Sequence, residues 1–128
     1  MGWGTPIGRV RGLGSAKEGA HHWWQQRLTA GANIVLMLWF ILSIARMPSY
    51  AHGDVIRWLA SPWAAVPMVL LIVSVFYHFR LGLQVVIEDY QTGERRVAAM
   101  IALNLFTVAT AALAIFSILR IALTGSPR

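Results

Sequence analysis

The sequence predicts an all-α integral membrane protein of three transmembrane helices, and three observations carry that fold class. Of the 128 residues, 57% are hydrophobic and only 12% charged, about half the charge of a soluble domain. Three uncharged runs each approach or exceed the roughly 20 residues that cross a bilayer core as helix. The eleven Lys and Arg, which bring the net charge to +6, are spread along the chain and border those runs, as in membrane proteins. They form no patch for nucleic acid. The chain has no Cys, which excludes a disulfide scaffold and thiolate-ligated clusters. Any cofactor held here must use His, Met or Tyr.

The first span follows Arg27 and runs from Leu28 to about Arg46. It starts too late and runs too long for a signal-peptide core, so residues 1–27 read as a cytoplasmic lead-in. Met47 to Arg57, with Pro48, Ser49, Gly53 and Asp54, reads as a loop of ordinary turn chemistry. The second span covers about 60–88, with Pro62 suited to its first turn. Asp89 to Arg96 contains Gly93 and reads as a tight return. The third span covers about 97–120, which closes a membrane domain at 28–123 and leaves a short tail at 124–128. Trp23, Trp24, Trp58 and Trp63 fall near expected interfaces, where indole is favoured. Ala98 and Ala102 form a small-xxx-small packing pair, and Asn104 is expected to make an interhelical hydrogen bond. Arg9, Arg11, Lys17, Arg27, Arg95 and Arg96 outnumber Arg46, Arg57, Arg120 and Arg128 across the membrane. That bias places the N-terminus in the cytoplasm and the C-terminus in the periplasm.

The chemistry must reside in the few polar residues of the spans. His78 lies inside the second span, where an ionisable group is costly and points to function. Either it is a neutral His bonded to a neighbouring helix, or it is an axial ligand to haem iron. Gly82, four residues on, shares its helical face; a bare position there suits a flat macrocycle or close helix packing. His21, His22 and His52 lie outside the spans, so a bis-His haem requires its second ligand from another chain. Asp89 is eleven residues beyond His78, within about 20° of it around the axis and about 16 Å along. With Tyr90 it offers an acceptor and a phenolic donor, suited to a quinone oxygen or simply to the solvated end of a helix. Arg27 and Thr29 are expected at the depth of Asp89 and Tyr90. Arg80 points to a different face from His78, most simply into a structural ion pair, and its functional role stays open.

At these residues the chain resembles the hydrophobic membrane anchor subunit of succinate dehydrogenase, in its alphaproteobacterial form. The resemblance runs from about Gly12 through the third span. Its most specific part is H-x-x-x-G-L-Q-V-V-I-E-D-Y, from His78 to Tyr90. The N-terminal part is similar to the family's G-x-H and R-x-T-A, here Gly19, His21 or His22, Arg27, Thr29 and Ala30. His21 keeps the six-residue spacing to Arg27.

The resemblance implies a bacterial inner-membrane subunit, not an enzyme by itself, in a four-subunit complex that links the tricarboxylic acid cycle to electron transport. Its partners would be a flavoprotein, an iron–sulfur subunit and a second three-helix anchor, the b-type cytochrome of succinate dehydrogenase. His78 would be one axial ligand of haem b, with Gly82 packing against the haem. Tyr90, Asp89, Arg27 and His21 would border a ubiquinone site on the cytoplasmic side. Two other readings remain: the anchor of a fumarate reductase or other quinone-linked cytochrome b, and a small transporter or channel protein with His78 and Arg80 on a proton path.

Overall fold

A computed structural model describes residues 16–125, and all regular structure among them is helical. Four helices follow in order: α1 (Ala16–Ala45), α2 (His52–Ala60), α3 (Pro62–Tyr90) and α4 (Gly93–Thr124). Helices α1, α3 and α4 are long and apolar enough to cross a membrane. The N-terminal residues through Ser15, with Arg9 and Arg11, and the final residues with Arg128 lie outside the described part.

Two elements differ from the sequence expectation. Helix α1 begins at Ala16, twelve residues before the expected span, because no proline from Lys17 to Arg27 interrupts a helix. The expected loop at Met47–Arg57 is helical from His52 onward. Asp54 in the first turn of α2 favours the positive end of the helix dipole and pairs with Arg57 one turn on. Trp58 stacks on Trp39 of α1 with ring centroids 6.1 Å apart and touches Phe40. That aromatic contact supplies the tertiary support that nine residues need to stay helical.

Helix α3 is the centre of the layer. It packs on α1 along one flank and on α4 along the other, while α1 and α4 do not pack on each other. Short connections enforce this order. Ser61 separates α2 from α3, Pro62 opens α3 without forfeiting a helical hydrogen bond, and Gln91–Thr92 alone joins α3 to α4. Gly93 takes φ of +59°, a left-handed conformation that costs an L side chain about 1–2 kcal/mol, so the tight return depends on glycine.

The core is small, and the buried residues of the described part lie on α3 and α4: Ala64, Ala65, Leu71 and Leu81 on the first, Leu103, Thr107 and Ile118 on the second. Ala98 and Ala102 are exposed, so the expected small-residue pair does not pack within this chain. The apolar length of α1 contributes no buried residue. Three helices in a layer leave more apolar surface open than a closed bundle does, and in a membrane lipid or another apolar helix covers it.

The α1–α2 connection and the α3–α4 return lie at opposite ends of the layer. Because the chain lacks Cys, single cysteines report topology without interference. The charge bias predicts that Ser49→Cys reacts with a membrane-impermeant maleimide from the periplasm, whereas Thr92→Cys reacts only after permeabilisation; the reverse pattern would invert the orientation.

Candidate functional site

The polar side chains of the spans gather in three places. The first is the seam between α1 and α3. His22, Gln26, Thr29 and Asn33 recur at intervals of four, three and four, which places them on one face of α1. Across from them Thr29 Oγ1 meets His78 Nδ1 at 3.0 Å, and Ser74 Oγ donates to the Thr29 carbonyl at 3.4 Å. Thr29 is tied back into its own helix, with Oγ1 at 2.8 Å from the Gln25 carbonyl and 3.1 Å from that of Gln26. His78 Nε2 makes no hydrogen bond among the described residues. The imidazole is thus held by one nitrogen, and the other has no partner among the described residues.

Gly82 follows His78 by one turn and faces α1. A Cβ at Gly82 would lie 3.6 Å from Gln26 Nε2, an ordinary contact, so the glutamine of α1 packs beside this position without requiring it to be bare. Within the seam, His22 Nε2, Gln26 Oε1 and Asn33 Oδ1 are buried without a partner among the described residues. Of the two adjacent histidines, His22 faces α3; His21 is exposed and meets the Gln25 amide at 2.8 Å.

The second place is the C-terminal end of α3. Tyr90 is 81% exposed and Asp89 is exposed beside it, whereas Glu88 is engaged by Gln84 at 3.0 Å and Arg96 at 3.4 Å. Asp89 and Tyr90 are therefore the groups free to meet an incoming molecule. The structure corrects the expected depth of Arg27 and Thr29. Thr29 is level with His78, and α1 and α3 run antiparallel, so Arg27 lies about 13 Å along the axis from Asp89 at 1.5 Å per residue. The error follows from placing the start of the first helix at Leu28, since a helix that begins at Ala16 carries Arg27 well into its length. Arg27 also points away from the seam, with its guanidinium 4.5 Å from the centre of the Trp23 ring.

The third place is between α3 and α4, where Arg80 Nε donates to Asn104 Oδ1 at 2.6 Å. Asn104 makes the interhelical bond its position predicts. Arg80 is held by an amide rather than by an acid, and no carboxylate pairs with it among the described residues. No cluster of three His, Asp or Glu that could hold a metal ion occurs among the described residues.

Comparison with known proteins bears on this geometry. A family model described as "Succinate dehydrogenase/Fumarate reductase transmembrane subunit" matches residues 1–111. The hydrophobic membrane anchor subunit of succinate dehydrogenase from Rickettsia bellii is 36% identical over 106 residues, covering 81% of this chain and 84% of that one. The protein of the same name from Paracoccus denitrificans is 32% identical over 119 residues, covering 93% and 92%. That from Rickettsia conorii is 32% identical over 106 residues, covering 81% and 84%. No solved structure matches the chain.

The Arg80–Asn104 bond is the principal polar tie between α3 and α4. A double-mutant cycle with Arg80→Gln and Asn104→Leu, read by thermal denaturation in detergent, is expected to give a coupling of roughly 0.6–1.7 kcal/mol. Additive single effects would show that the bond contributes nothing to the packing.

Proposed function

From the premise that this chain belongs to the succinate dehydrogenase/fumarate reductase transmembrane subunit family, as a multi-pass inner-membrane anchor without a catalytic centre of its own, we propose that it supplies one axial ligand, His78, to haem b and part of a ubiquinone site. The observation that carries the haem half is the imidazole fixed through Nδ1, with no partner on Nε2 among the described residues. Neutral imidazole is a common iron ligand, and its orientation is normally set by the bond that the second nitrogen makes. A bound haem would supply one-electron storage at this depth. A second histidine ligand would have to come from the partner anchor, the b-type cytochrome, because His21, His22 and His52 are not bonded to or beside His78 among the described residues. The iron–sulfur and flavoprotein subunits complete the complex, and the relatives' shared name favours succinate dehydrogenase over fumarate reductase.

The quinone half rests on Tyr90 and Asp89 at the exposed end of α3. Reduction of a quinone takes up two protons, so its site needs a hydrogen-bond donor at the carbonyl oxygen and a route to water. The Tyr90 phenol supplies the donor, and the Asp89 carboxylate, open to water, relays protons. His21 and His22 approach this end along α1. Arg27, at the depth of His78, is too far along the axis to share one quinone oxygen with Tyr90, so its part in the site requires the partner subunits. The uncovered apolar face of α1 is the surface offered to the partner anchor or to lipid.

The test is a reduced-minus-oxidised spectrum and quinone turnover of the complex purified in detergent. His78→Ala is expected to remove or shift the b-type signal while turnover falls less. Tyr90→Phe is expected to lower quinone turnover at least tenfold, about 1.4 kcal/mol, with an unchanged haem spectrum. A preparation that lacks b-type haem and the flavoprotein and iron–sulfur partners would overturn the proposal.

A further inference from the structure

Thr29 belongs to the R-x-T-A stretch of α1, and the proposed function gives it no task. It nevertheless makes the direct side-chain hydrogen bond between α1 and His78. The tautomer of His78 follows from counting protons. A hydroxyl has one proton to donate and lone pairs to accept with. The Gln25 carbonyl, 2.8 Å from Thr29 Oγ1, and the Gln26 carbonyl at 3.1 Å are acceptors only; on the shorter of these contacts the Thr29 proton stays within its own helix. The contact with His78 Nδ1 must then be completed by a proton on Nδ1, donated to the Thr29 oxygen. A neutral imidazole with its proton on Nδ1 carries the lone pair on Nε2, the nitrogen that no described residue occupies.

We propose that Thr29 is a positioning residue that fixes His78 as the Nδ1-protonated tautomer, aims Nε2 out of the seam, and makes that nitrogen a stronger donor toward iron. The Ser74 hydroxyl, bonded to the Thr29 carbonyl, holds the two helices in the register this contact needs. The inference rests on His78 being the haem ligand proposed above. Donation from Nδ1–H to a hydroxyl makes the ring more electron-rich, and a more basic axial imidazole favours ferric over ferrous iron. Removing the hydroxyl therefore shifts the haem midpoint potential upward and lets the ring rotate.

The experiment compares Thr29→Val, Thr29→Ser and His78→Ala in the purified four-subunit complex, read by low-temperature electron paramagnetic resonance of the ferric haem and by redox titration. Thr29→Val is expected to move the low-spin g values and raise the midpoint potential, and Thr29→Ser to restore both. If Thr29→Val matches the wild type in both while His78→Ala loses the signal, the positioning role is overturned and the ligand stands. If His78→Ala leaves the signal intact, the ligand reading fails instead. A second measurement does not depend on the variants folding: 15N shifts of labelled histidine in the wild-type complex made with haem synthesis blocked. A proton on His78 Nδ1 is expected, and a proton on Nε2 would overturn the inference.

Discussion

Inside a bilayer a polar side chain has no water to fall back on, and each one must find its partner on another helix or carry a ligand. The contact between Thr29 and His78 satisfies that constraint for the most unusual residue of the chain. It fixes how far α1 slides along α3, and through that register it decides which residues share a depth. Gln26 reaches Gly82 and Ser74 reaches the Thr29 carbonyl because the same register holds throughout the seam. Arg80 and Asn104 act similarly on the other flank of α3. The two polar ties leave the central helix with His78 aimed at one neighbour and Arg80 at the other, as residues two apart on a helix must be.

The apolar residues do less to specify the arrangement. Few of them are buried, and these lie on α3 and α4. In water such exposure would be ruinous, but lipid tails are as apolar as leucine, so helix association depends on close fit and hydrogen bonds rather than on removing surface from solvent. A layer of three helices tied mainly by polar contacts, with one long apolar helix largely uncovered, is suited to a protein that completes its packing on another chain. The same logic applies to the proposed chemistry, in which His78 would supply one of two ligands and another chain the second.

The three long helices were legible in the sequence because twenty apolar residues between charges have few other fates. His78 was legible as a candidate because it interrupts such a run, and Asn104 as an interhelical donor or acceptor for the same reason. Three features were not legible. The true start of α1 was hidden because polar residues from Lys17 to Arg27 carry no hydropathy signal; the four-three-four spacing of His22, Gln26, Thr29 and Asn33, which runs across the expected boundary, was the available one. Helix α2 was hidden by Gly53, Asp54 and Pro48, and its stability comes from Trp58 meeting Trp39, a contact no local pattern announces. The partner of His78 was hidden because a threonine at Thr29 carries no hydropathy signal, and only the register of two helices brings it to the imidazole.

The proposal that this chain supplies half of a shared haem site, with Thr29 setting the imidazole, is tested most directly by a density map of the intact membrane complex from electron cryomicroscopy. The expected map joins His78 Nε2 to a haem iron whose opposite ligand is an imidazole of the partner anchor, with His78 Nδ1 on the Thr29 hydroxyl. A map in which His78 Nε2 meets lipid or protein while the haem is held by other residues would contradict it.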